Sequence, residues 1–104
     1  MLEKEIEKKV SDYAVSKGCL SYKFTSPNRR SVPDRIFISP TGYMWFCEFK
    51  REGKVPTPAQ EREISKLRNQ GCPVCVVDNV DSGMEMVTDA MCFPLNHRLQ
   101  FTEC

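Results

Sequence analysis

Asp34, Glu48 and Lys50 are the residues whose types and spacing could do chemistry together, and all three fall within Val32 to Lys50, VPDRIFISPTGYMWFCEFK. The stretch reads as two strands joined by a turn at Ser39-Pro40-Thr41-Gly42, with apolar residues on both faces as in strands buried inside a covered sheet. Side chains alternate along a strand, so Glu48 and Lys50 share a face with Phe46, while Trp45, Cys47 and Phe49 take the other. Residues two apart on a strand are separated by about 6.6 Å, which lets a carboxylate and an ammonium flank one small ligand. A hairpin of this length returns Asp34 to the same end of the sheet. Two converging carboxylates suit Mg²⁺ or Mn²⁺, and a neighbouring lysine suits an anionic substrate. The spacing fits equally well an exposed edge hairpin in which Glu48 and Lys50 form an ordinary surface pair.

The formal net charge of +1 names no partner, but its distribution is uneven. Lys17, Lys23, Arg29, Arg30 and Arg35 face Asp34 alone between positions 17 and 35, whereas Asp78, Asp81, Glu85, Asp89 and Glu103 face Arg98 alone from position 78 onward. A basic patch beside metal-type carboxylates is the arrangement expected for a phosphate backbone as partner; a solvated arginine-rich loop is the plainer alternative. Lys23, Arg29, Arg30 and Arg35, with Arg51 and Lys54 beyond the hairpin, are the candidate contacts to such a backbone. Of the six cysteines only Cys72 and Cys75 form a close pair, and no second pair or Cys/His cluster stands near it. The thiols are read as reduced and the protein as intracellular, without structural zinc. The start Met-Leu-Glu-Lys-Glu is unlike a signal peptide, and no apolar run is long enough for a membrane.

The elements that must position these residues fit one domain, 1–104. Leu2 to Lys17 carries an apolar stripe of Leu2, Ile6, Val10, Tyr13 and Ala14, the pattern of an amphipathic helix, with Gly18 placed to stop it. Glu7 lies on the border of that stripe, where it can reach a site on the sheet or pair with Lys4 or Lys8 in solvent. Cys19 to Thr25 alternates as a first strand with Leu20, Tyr22 and Phe24 on one face, and the loop at 26–31 brings in Arg29 and Arg30. A second helix starts at Thr57, with Pro58 first and Gln60 third as in a capping box, and Gly71 ends it. Gln60 also falls on the side of Ile64 and Leu67, from which it could reach Glu48. One amide is not expected to fill both roles, and the cap takes precedence. Pro73 to Val77 reads as a buried strand reached by a right-handed crossover, parallel to its neighbour, so the sheet is mixed. Asp81-Ser82-Gly83 leads into a short helix at Met84 to Met91 with Met84, Val87 and Met91 inward. His97, in an unpatterned tail, receives no role.

Glu7, Gly18, Tyr22-Lys23-Phe24, Pro33-Asp34-Arg35-Ile36, Glu48-Phe49-Lys50 and Pro56-Thr57-Pro58-Ala59-Gln60, taken in order, resemble the VRR-NUC (virus-type replication-repair nuclease) branch of the PD-(D/E)XK nuclease superfamily. The resemblance covers residues 3–78 and leaves 79–104 as a C-terminal extension. It implies an α/β, restriction-endonuclease-like core with a mixed central sheet flanked by helices in the order α-β-β-β-α-β. The activity it implies is metal-dependent hydrolysis of DNA phosphodiesters. Asp34, Glu48 and the Phe49 backbone carbonyl become the Mg²⁺ or Mn²⁺ ligands, and Lys50 the catalytic lysine. Glu7 becomes the helix-borne acid, with Glu3 one turn earlier as its alternative, and Gln60 the glutamine beside the site. Small stand-alone members from bacteriophages resemble structure-specific nucleases that act as dimers on branched DNA, which makes a homodimer on a four-way junction the leading expectation. A monomeric endonuclease for flaps or duplex, and a non-catalytic DNA-binding module, are the other readings. Ser31-Val32 before Pro33 departs from relatives that often carry a glycine there. Met84, Met86, Met91, Phe93, Leu95 and Phe101 are candidates either for a dimer interface or for capping the protomer's own core.

Overall fold

In the computed structural model, which describes residues 1–93, Val32–Lys50 forms the hairpin its alternation demands. β2 (Arg35–Ile38) and β3 (Met44–Phe49) pair antiparallel with Arg35 opposite Cys47 and Ile38 opposite Met44. Gly42 takes a positive φ of 88° to close the turn, where its N–H donates to the Ser39 carbonyl at 2.9 Å. β1 (Leu20–Lys23) adds to β2 antiparallel, and β4 (Val74–Val77) adds to β3 parallel, giving one mixed sheet of order β1-β2-β3-β4. The parallel pair is reached through α2 (Pro58–Asn69), as a strand-helix-strand crossover requires.

α1 (Glu3–Ser16) and α3 (Val80–Ala90) cover one face of the sheet. Ile6, Val10 and Ala14 of α1 meet Phe37, Trp45, Cys47, Phe49 and Val77 from the strands and Val87 and Ala90 from α3, with every one of these buried. The other face holds a smaller cluster, in which Ile64 of α2 packs on Phe46 and Val74 and is flanked by Phe24, Ile36, Leu67 and Cys72. Burying two faces is what makes β3 apolar on both.

The architecture is the expected mixed α/β one with one more helix, so the order is α-β-β-β-α-β-α. α3 starts at Val80 rather than Met84. Asn79 caps it, its side-chain oxygen accepting the Ser82 N–H at 2.8 Å, and Gly83, which reads as a break in the sequence, lies inside the helix. There it is buried against α1, where a Cβ would fall 2.4 Å from Val10 Cγ2 and 3.1 Å from Val77 Cγ1. The inward residues of α3 are Gly83, Val87 and Ala90, while Met86 and Met91 pack at the rim of the core and Met84 is half-buried. Phe93 stacks on Tyr43 with ring centroids 4.1 Å apart. Leu95, His97, Arg98 and Phe101 lie outside the described residues.

β1 departs from expectation in its burial. Leu20 and Tyr22 are 51% and 54% exposed, so only Phe24, which reaches Phe46 at 5.4 Å, joins the second cluster. α2 lies over the β3–β4 half of that face, with Ile36 of β2 at its edge, and leaves Leu20 and Tyr22 of β1 in solvent.

Candidate active site

Asp34 is fixed by the strands on either side of it. Its carbonyl accepts the Phe24 N–H at 2.9 Å and its side-chain Oδ2 accepts the Phe49 N–H at 2.7 Å, so the residue bridges the ends of β1 and β3. The ring of Pro33 before it is buried. Glu48, the last residue but one of β3, is 2% exposed. Its Oε2 accepts from Gln60 Nε2 at 3.0 Å and lies 3.5 Å from Lys50 Nζ, whereas Oε1 is buried with no hydrogen-bond partner. Lys50 is itself largely buried, and the hairpin thus brings Asp34, Glu48 and Lys50 to one end of the sheet as the alternation requires.

Gln60 corrects the either-or expectation for its amide. Its Oε1 accepts the Thr57 N–H at 2.9 Å and its backbone N–H donates to Thr57 Oγ1 at 3.2 Å, which closes the capping box. The other end of the same amide, Nε2, is the donor to Glu48. An amide has an acceptor and two donors on opposite sides, so cap and site are served at once.

The carboxylates are electrostatically loaded. Burial, and then the negative charge of Asp34, pushes Glu48 up to about 7 against the opposing pull of Lys50. Burial also raises Asp34, only partly offset by the Phe49 N–H. Glu3, half-buried in the first turn of α1, adds repulsion at both acids, and Glu7 adds it at Asp34. A cation between these acids would offset the burial and mutual repulsion that raise them. The donor set is hard: two neighbouring carboxylates, Asp34 and Glu48. The orphaned Glu48 Oε1 supplies the acceptor such an ion needs, so the residues present fit Mg²⁺ or Mn²⁺. Among the described residues no three Asp, Glu, His or Cys side chains form a metal cage. Two acids, with water and substrate completing the shell, match the manner in which Mg²⁺ is ordinarily held.

Glu7 is buried rather than bordering solvent, and it pairs with neither Lys4 nor Lys8. Its Oε2 accepts from Arg35 Nε at 2.7 Å and from Lys23 Nζ at 3.1 Å. Arg35 and Lys23 stand opposite each other in the β1–β2 register and so reach α1 together. Arg29 is drawn to α2, where its Nη1 lies 2.7 Å from Glu63 Oε1. Arg30, Arg51 and Lys54 are exposed. The sequence reading missed Glu63 as a partner, and it missed Ser11 and Ser21 beside Glu7. Ser11 is one turn from Glu7 on the same face of α1, a spacing legible in the sequence. Cys47 and Cys75 are register partners on β3 and β4, with burial pushing the Cys47 thiol well up; both, like Cys72, are free thiols.

No protein-family model matches the sequence. "Putative nuclease p44" of Acyrthosiphon pisum secondary endosymbiont phage 1 is 43% identical over 79 residues, which span 76% of this chain and 85% of the phage protein. Among solved structures, one described as "VRR_NUC domain" superposes with a TM-score of 0.77 at 30% identity, covering 83% of this chain and 94% of that one. Another, described as "VRR_NUC domain protein", gives a TM-score of 0.71 at 17% identity over 88% of each chain, a likeness of fold alone.

Proposed function

The chain belongs to the VRR_NUC family of nuclease domains, and from that premise we propose that it is a Mg²⁺- or Mn²⁺-dependent endonuclease that hydrolyses phosphodiester bonds in branched DNA. The observation that carries the metal-dependent reading is Glu48: a buried carboxylate with one oxygen orphaned, the other shared by Lys50 and Gln60, and Asp34 beside it. Asp34 and Glu48, with the Phe49 carbonyl, would hold the ion, which when bound supplies a Lewis acid for the scissile phosphate and an acidified water.

The chain's own residues do the rest. Lys50, held 3.5 Å from Glu48 Oε2 and mostly shielded from solvent, places an ammonium where charge accumulates on the phosphate and where an attacking water can be oriented. Gln60 fixes the carboxylate plane of Glu48 through Nε2, so that Oε1 is the oxygen left for ligation. Glu3 or Glu7 supplies the helix-borne acid, acting through outer-shell water. Arg30, Arg51 and Lys54, all exposed, are proposed DNA contacts together with Lys23, Arg29 and Arg35.

Incubation of the purified protein with branched and linear DNA in Mg²⁺, and separately in Mn²⁺, tests the reading. Wild-type protein is expected to cleave, and Asp34→Ala to be inert. Lys50→Ala is expected to fold and bind Mn²⁺ while losing roughly 10²-fold or more in turnover. Wild-type cleavage no greater than that of Asp34→Ala would remove the enzymatic assignment, and DNA binding without metal-stimulated turnover would replace it with a non-catalytic DNA-binding module.

A further inference from the structure

Lys23, Arg35 and Glu7 form a triad in which two cations converge on one oxygen of one buried carboxylate. Such a group keeps one unit of positive charge unbalanced. It lines an open cleft of about 420 Å³ between α1 and the β1–β2 ladder. Lys23 is 64% exposed along its side chain and faces solvent from the rim. Arg35 spends Nε on Glu7 and one terminal N–H on Ser21 Oγ at 3.1 Å, and a guanidinium has five N–H donors, so donors remain for a further acceptor. Ser11 lines the same cleft from α1, is 8% exposed, and its Oγ is buried without a hydrogen-bond partner. Lys4 adds a further ammonium at the mouth, while Lys8 is held by Asp12 at 2.9 Å. An excess of fixed donors around a single carboxylate oxygen is the chemistry of a site built for a tetrahedral oxyanion.

We propose that this cleft is a second phosphate-binding position, taking a non-scissile phosphate of the DNA strand, and that Glu7 stands in for that phosphate in the free protein. The inference rests on the nuclease reading for its substrate. Arg35 directly follows Asp34 in the chain and turns to the α1 face of the sheet to meet Glu7, so the cleft lies one residue away from the acids. Before DNA arrives, Glu7 holds both donors in place. On binding, the phosphate competes with Glu7 for them, and Ser11 and Ser21 supply neutral hydroxyl contacts. Glu7 is thus a positioning residue whose charge opposes DNA.

Binding of a labelled duplex in EDTA, over a series of salt concentrations, separates this role from catalysis. Glu7→Gln is expected to bind about threefold to tenfold tighter than wild type, because the competing charge is gone while the hydrogen-bonding shape remains. Lys23→Met, at an exposed position that does not endanger folding, is expected to bind more weakly and to lower the salt slope by about one. Titration with inorganic phosphate should shift the NMR signals of Arg35 Nε–H and the Ser11 amide, more strongly in Glu7→Gln. A Lys23→Met protein with the wild-type salt slope, or a folded Glu7→Gln protein that binds no tighter, overturns the cleft assignment. Wild-type cleavage in Mn²⁺ is scored independently: cleavage with an unchanged Lys23→Met slope sinks the cleft alone, and the expected binding changes without cleavage sink the nuclease reading alone.

Discussion

Glu48 is held where its charge is least welcome, and that gives a pH dependence with a defined sign. In the folded chain its carboxyl is pushed up to about 7, against about 4.3 in an unfolded one. Between those values the folded state binds more protons than the unfolded state, so stability falls as pH rises through the window and the loss is complete above it. The full shift corresponds to roughly 3–4 kcal/mol. Urea unfolding in EDTA is therefore expected to show wild-type stability dropping from pH 5 to pH 8, and Glu48→Gln to lose most of that drop. Added Mn²⁺ should restore stability at pH 8 to wild type and not to the variant; an equal drop in both proteins would place the titrating group elsewhere. The positions of Asp34, Glu48 and Lys50 were legible because a strand's two-residue period leaves little choice of face. What was not legible at this scale was sharing: that Gln60 serves two partners, and that Glu7 is buried by Lys23 and Arg35, depends on which side chains cross from other elements.

At the scale of elements, α1 and α3 approach closely because Gly83 presents no side chain to Val10. In an exposed helix Gly83→Ala would stabilise by about 1 kcal/mol through propensity. Here the new methyl would sit 2.4 Å from Val10 Cγ2, on a side chain with no exposed surface to retreat into. The expected outcome is net destabilisation of about 1–3 kcal/mol in denaturant unfolding, relieved in part when Val10→Ala is added; a more stable single variant would show that the helices can part. The start of α3 was hidden in the sequence for the same reason, since a glycine between two acidic turns reads as a breaker, while Asn79 as a cap was the available signal. The hairpin, the Thr57 start of α2 and the parallel β4 were readable from turn chemistry and apolar runs. The uncovered faces of Leu20 and Tyr22 were not, because alternation says which residues share a face and nothing about whether a helix reaches it.

At the scale of the whole molecule, one end of one sheet carries one set of acids, whereas resolving a four-way junction requires two symmetric nicks. A two-fold pair of protomers is the simplest arrangement that meets this demand, and a homodimer acting on junctions is the expected working unit. Met86 and Met91 pack on the protomer's own core and Phe93 on Tyr43, which leaves less of the C-terminal apolar material for an interface than its composition suggested. Sedimentation alone and with a junction, paired with mapping of nick positions, decides the matter. A dimer nicking opposed strands is expected; a monomer in both conditions would favour an endonuclease for flaps or duplex. No helix among the described residues is long and apolar enough to cross a membrane.

The double engagement of Gln60 narrows what the position can tolerate. Glutamate closes a capping box as well as glutamine does, and by the standard of helix stability the two are interchangeable. At this position a glutamate would set a third carboxylate against Glu48, and asparagine, shorter by a methylene, would span one of the two contacts at the expense of the other. Two independent demands, each permissive by itself, leave a single side chain in their overlap, so the alphabet available at the first turn of α2 is set by the chemistry twelve residues upstream.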